Sequence, residues 1–253
     1  MSLETLKPKV AKLIEKAQSG GNTDELEAII DNSGVLDSTE GTVEEKVEQL
    51  VDKAEWEKVV YAYFENTSSA KSKFAYFPYA KPPHTNFINA TDFSGFIERS
   101  SIETIDYYIN SQKGTNFSWA FHNTSKLKTM VGVNTSAATN VKSMFESSVI
   151  ETIQEPFDFS KVTNAGNVFF RANALKEIRF VAETIKVSIA IQSSVLSAES
   201  IQSIIDGLAT VETAQTLTLN ANLKILQSQV DNANAKGWTV AGGTVVSEEE
   251  YYG

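Results

Sequence analysis

The chain has 253 residues, 42% of them hydrophobic and 21% charged, which is enough apolar side chain for one elongated domain or two modest ones. Its formal net charge of −10 disfavours nucleic-acid phosphates and anionic lipid as direct partners, and no Lys/Arg cluster offsets it. With no cysteine there is neither a disulfide staple nor thiolate chemistry.

Residues 1–60 carry much of that charge, with 7 Lys against 14 Asp and Glu and no Arg. The first residues hold no uninterrupted apolar stretch, and no window approaches the roughly 18 apolar residues of a membrane span. The expectation is a product made as a soluble cytoplasmic protein, without a standard signal peptide. Leu3, Leu6, Val10, Leu13, Ile14 and Ala17 follow helical spacing until Gly20-Gly21. A second short helix carries Leu26, Ile29 and Ile30. Thr42 with Glu45 forms a capping box that opens a third, reaching about Val60. These stripes are narrow, so such helices must pack on each other or on a partner. Residues 1–60 are therefore expected to be a helical attachment or oligomerisation segment, with a helical cap on the same chain as the alternative.

Residues 61–90 change character. Tyr61, Tyr63, Phe64, Phe74, Tyr76, Phe77 and Tyr79 flank a polar stretch, Asn66 to Ser72 in sequence, which suggests a hairpin. Pro78 and Pro82-Pro83 then give an extended connector. Two readings stay open for the aromatics: stacking on sugar rings, or packing as an N-terminal cap on the region that begins at Thr91.

From Thr91 the sequence repeats. Thr91-Asp92, Thr115-Asn116, Thr139-Asn140 and Thr163-Asn164 recur at a step of 24 residues. A Phe follows each at five or six places (Phe96, Phe121, Phe145 and Phe169). An aliphatic pair comes next: Ile102/Ile105, Leu127/Met130, Ile150/Ile153 and Leu175/Ile178. Units this short cannot bury a core alone, so the Phe and the pair are expected to pack on the same positions of their neighbours. Thr and Asn suit the turns, since both bond nearby backbone groups.

Phe157-Asp158-Phe159-Ser160-Lys161-Val162-Thr163-Asn164 with Leu175-Lys176-Glu177-Ile178, and Asn134 through Phe145, resemble the BspA-like leucine-rich repeats of bacterial surface and phage proteins. The order from Ser197 onward is helix to Leu208, strand Thr216–Leu219, helix near 223–235 and strand Trp238-Thr239-Val240. It is similar to the closing repeats of leucine-rich proteins encoded by phages and prophages of gut bacteria. The resemblance covers about residues 91–241 well and 1–60 loosely. It implies an α+β fold: N-terminal helices, then a leucine-rich-repeat-type solenoid with short parallel strands over residues 91–241. Helix–strand repeats would close its C-terminal end. Residues 242–253, with Glu248-Glu249-Glu250, read as a flexible acidic tail.

Catalytic signatures are scarce. The two histidines, His84 and His122, sit in unrelated contexts, so no metal site or other cofactor is expected. Ser68-Ser69-Ala70-Lys71 has the Ser-x-x-Lys spacing without its companion motifs, no nucleophile elbow or phosphate loop occurs, and no carboxylate pair stands out for glycoside hydrolysis. Tyr61, Tyr63, Tyr76, Tyr79, Lys126, Lys128, Arg171 and Lys176 are the candidate ligand surface; the basic ones could equally be solubilising charges. The expectation is a non-enzymatic structural or recognition protein, a phage virion component of tail, baseplate or surface appendage. It would be made in the host cytoplasm, assemble through its N-terminal helices as a homo-oligomer or with the virion, and bind a host glycan or surface protein. Nucleic acid and membrane insertion are not expected. The alternatives are a bacterial cell-surface adhesin of the same repeat type and a cell-wall glycan hydrolase.

Overall fold

The structure, a computed structural model, describes residues 68–76 and 87–252. The chain divides into two compact units, Met1–Thr67 with Pro83–Ile88 and Ser68–Pro82 with Asn89–Gly253. Of the first, only Phe87 and Ile88 are described; the helices read in residues 1–60, the connector prolines, His84, Tyr61, Tyr63 and Tyr79 lie outside the described residues.

In the second unit the 24-residue period becomes a stack of turns held by repeated bonds. The hydroxyl of Thr115 donates to the Thr91 carbonyl at 3.2 Å, Thr139 to Thr115 at 3.1 Å and Thr163 to Thr139 at 3.2 Å. Each carbonyl also accepts the backbone N–H of the Thr above it, at 2.8, 2.9 and 2.9 Å. One residue on, the Nδ2 of Asn116 donates to Asp92 Oδ1 and that of Asn140 to Asn116 Oδ1, both at 3.0 Å. The Oδ1 atoms of Asp92, Asn116 and Asn140 also accept the N–H two residues ahead, from Ser94, Ser118 and Lys142 respectively. The Asn side chain thus closes its own turn and links it to the turn before. Single parallel bridges join Asp92, Asn116, Asn140 and Asn164 in sequence.

Apolar side chains fill the inside of the stack. Phe93 lies on Phe117 with ring centroids 4.9 Å apart, and Phe145 sits between Phe121 at 4.8 Å and Phe169 at 5.7 Å. The first Phe is out of step with the others. Ile97 donates to the Ala120 carbonyl as Phe121 donates to that of Met144, so Ile97 is the register mate of Phe121, and Phe96 fills the position next to it.

Extended segments are short. β1 (Thr104–Ile109), β2 (Thr129–Val133) and β3 (Thr152–Ile153) form one parallel sheet, with Thr104, Thr129 and Thr152 in register. β4 (Ile189–Ile191), β5 (Gln215–Leu219) and β7 (Trp238–Ala241) form a second with β5 central, and β6 (Lys224–Leu226) pairs β8 (Thr244–Val246). Three helices are described: α1 (Ala198–Gly207), α2 (Gln227–Ala235) and α3 (Glu248–Tyr252). Ser197 caps α1 by accepting the Ser200 N–H, and Ile201, Ile204 and Ile205 face the core.

The expected α+β architecture, with a leucine-rich-repeat-type solenoid and helix–strand repeats at its end, is corrected by these elements. The described residues form mostly strands and turns, with few helices and separate small parallel sheets of three, three and two strands. The reason is local. Two residues of each unit take positive φ and the Thr-Asn pair makes a turn, so only two to six residues per unit stay extended in β1, β2 and β3. Pairing between units is therefore limited to these short sheets and to single parallel bridges.

Two further readings change. Residues 68–76 are turns whose Ser69 bridges Asp92 in parallel, where a hairpin tip was expected. The acidic tail is folded up to residue 252. β8 pairs β6, and Tyr251 of α3 is buried, its hydroxyl accepting from Gln229 Nε2 at 3.0 Å and donating to the Ala198 carbonyl at 3.0 Å.

Candidate functional site

The positive-φ residues recur in pairs four apart: Ser72 and Tyr76, Gly95 and Arg99, Trp119 and Asn123, Ser143 and Ser147, Asn167 and Arg171. The left-handed region suits Gly and tolerates Asn, but crowds any side chain with a Cβ. Trp119, at φ 60°, is the misfit of its column, whose other members are Ser72, Gly95, Ser143 and Asn167. It is also 48% exposed, although burying an indole is one of the larger gains open to a fold.

The surroundings of Trp119 are polar and partly pre-set. Its N–H donates to the Lys142 carbonyl at 3.0 Å, and its carbonyl accepts the His122 N–H at 3.1 Å, so the turn is fixed at both ends. The indole and imidazole centroids are 6.1 Å apart at 37°. His122 Nδ1 lies 3.1 Å from Glu98 Oε1, within hydrogen-bond distance. Arg99 Nε is 3.6 Å from the same oxygen, and its Nη1 donates to the Tyr76 hydroxyl at 3.0 Å. Together Glu98, Arg99, Trp119, His122, Lys142 and Glu146 line an open groove of about 340 Å³. Two carboxylates are matched by two cations in the same lining as the indole.

Compared with family models, curated proteins and solved structures, the chain matches none. The site offers donors, acceptors and a stacking plane. Among the described residues no three His, Asp or Glu side chains stand together as metal ligands, and no helix is long and apolar enough to cross a membrane.

The structure separates the residues singled out from the sequence. Tyr76 is 64% exposed and adjoins the groove through Arg99, whose guanidinium carbon lies 5.8 Å from its ring centroid. Lys126, Lys128 and Lys176 stand beside the β1–β3 sheet in ion pairs, Lys126 with Glu103 at 3.9 Å, and Lys128 and Lys176 with Glu151 at 3.6 and 3.2 Å. Arg171 lies over Phe170 at 5.2 Å. Of these basic residues, Lys128 and Lys176 meet at Glu151.

Trp119, His122, Glu98 and Arg99 were not chosen as ligand residues from the sequence. One signal was available: Trp119 is a large aromatic four places after Thr115, where the other units carry Gly, Ser and Asn. A third exposed aromatic, Tyr108, makes a poorer site. Its phenol pKa is raised by partial burial and by the carboxylates of Glu155 and Asp158, with no cation among those influences.

Proposed function

We propose that this chain is a non-catalytic recognition protein whose binding surface is the turn face centred on Trp119. The observation that supports the reading is an exposed indole held at positive φ beside a polar groove, a position where the rest of the column is small or polar. Such a residue adds little to the core and has the composition of a contact surface, in which aromatics and Arg are enriched. The setting we favour is a phage virion, in a tail, baseplate or surface appendage, with the host surface as the target. That setting rests on the likeness of the 24-residue unit to BspA-like repeats.

Labelled full-length protein incubated with a panel of intact bacteria tests the binding role. Staining of a subset of strains is expected, reduced by Trp119→Asn and unchanged by Lys128→Ala. Staining of no strain, or equal staining by the Trp119 variant, would refute it. Immunogold labelling of particles purified from the producing strain tests the virion setting.

A further inference from the structure

Resting on that reading, we infer that the Trp119 groove binds a neutral pyranose, its C–H face laid on the indole and its hydroxyls bonded to the charged rim. Three features select this ligand class. An aromatic face is electron-rich and apolar, and attracts the polarised C–H bonds on one side of a sugar ring. A sugar hydroxyl donates and accepts at once, and the rim provides both: Glu98 and Glu146 accept, while Arg99 and Lys142 donate. The rim is balanced in charge, so a phosphate, a sulfated chain or a uronic acid gains no net attraction there.

Size supports the same choice. A groove of about 340 Å³ lies at the small end of ligand clefts, which suits a short saccharide. The rim is also partly organised without a ligand, because Glu98 already holds the imidazole of His122 at 3.1 Å and lies beside Arg99. Few side chains need ordering on binding, which favours measurable affinity from a small contact.

The backbone at Trp119 gives the observation its weight. A fold needing only a turn would be better served by Gly or Asn, the residues at the register positions 95 and 167. An indole at a strained, exposed turn has its use in contacting a ligand.

The test uses full-length protein and neutral oligosaccharides (gluco-, manno- and galacto-configured, and N-acetylhexosamine oligomers), with oligogalacturonate and heparin fragments as charged controls. The chain has three tryptophans, so the indole N–H region of a proton–nitrogen spectrum holds three side-chain signals, and Trp119→Phe assigns one. At least one neutral oligosaccharide is expected to shift the Trp119 signal saturably. Trp119→Asn should weaken that binding by about tenfold or more, with its thermal midpoint close to the parent's. Trp119→Phe should keep part of the affinity. No shift from any neutral saccharide at about ten times a millimolar Kd, or undiminished binding by Trp119→Asn, would overturn the inference. A large fall in the midpoint of Trp119→Asn would overturn it too, by making the indole a structural element. Loss of cell staining in Trp119→Asn with no saccharide response would leave the recognition role standing with a protein ligand and reject the sugar.

Discussion

The turn stack shows how a difference of one atom type decides a residue. Asn116 must accept the Ser118 N–H and also donate to Asp92 Oδ1, which an amide can do and a carboxylate cannot. Asp92 opens this ladder, where its Oδ1 accepts from both Ser94 and Asn116, so a carboxylate serves. The two positions should respond in opposite ways to exchange of the same atoms. Asn116→Asp removes the donor and faces one carboxylate with another, at a cost of about 1–3 kcal/mol. Asp92→Asn keeps the acceptor and should change stability by less than about 0.5 kcal/mol. Urea unfolding of the two variants at neutral pH measures the contrast, and equal losses would show that the ladder bonds do not set the choice. Trp119 illustrates the other kind of residue-level constraint. Its positive φ costs roughly 1–2 kcal/mol relative to glycine, and the buried half of the indole returns a similar amount. Stability is thus nearly indifferent to this residue.

Among the elements, the β1–β3 sheet couples its edge charges across units. Lys128 and Lys176 approach Glu151 from the rungs on either side, at 3.6 and 3.2 Å. The Lys176 hydrogen bond is the main influence holding the Glu151 carboxyl below the usual glutamate range, followed by the charge of Lys176 and then that of Lys128. A depressed folded pKa means the pair stabilises at neutral pH and loses its effect as pH falls through the folded pKa. The carboxyl is open to water, so the stability gain is slight and the useful readout is the titration itself. Carbon-detected titration of Glu151 should give a midpoint below that of an unpaired glutamate. Lys176→Met should raise it more than Lys128→Met, and the reverse order would contradict the geometry. The elements also show what the sequence could reveal. The period was legible because a bonded Thr-Asn ladder demands the same residue types at every step, and the Phe columns because stacking repeats them. The helix read from Ser197 is present as Ala198–Gly207, where the Ser197 cap and the Ile spacing are local signals. The extent of the sheets was not legible, because it depends on how many residues the turns consume, and positive φ at Trp119 or Arg171 leaves no mark in residue type. Nor was α3, since Tyr251 is buried by bonds to Gln229 and Ala198, distant in sequence. The candidate site was hidden for the same reason: Glu98, Trp119 and Glu146 belong to three different units and meet only once the turns are stacked.

On the scale of the whole second unit, two kinds of cohesion stand side by side. Between residues 91 and 172 most of the backbone bonds between units run from one turn to the one 24 residues away, and the rings inside follow the same path. Beyond Ala198 the contacts are those of helices packed against short strands, with Trp238 buried and its Nε1 donating to the Ala209 carbonyl at 2.8 Å. A defect in the first kind of packing should spread along the stack before it reaches the second, because each turn is supported chiefly by its two neighbours. Phe145 is the position to test, being fully buried and in contact with Phe121, Phe169 and, at 5.9 Å, Phe157. Phe145→Ala should cost about 3–5 kcal/mol through lost transfer energy and the cavity left behind. Native-state hydrogen exchange should then show reduced protection at the amides of Phe121 and Asn123, which bond the Phe145 unit, and at Phe145 and Ser147, which bond the next. The amides pairing β4, β5 and β7 should keep most of their protection. An even loss across both regions would mean that the unit opens as one cooperative block, and that the stacked rings support the helical end as directly as they support each other.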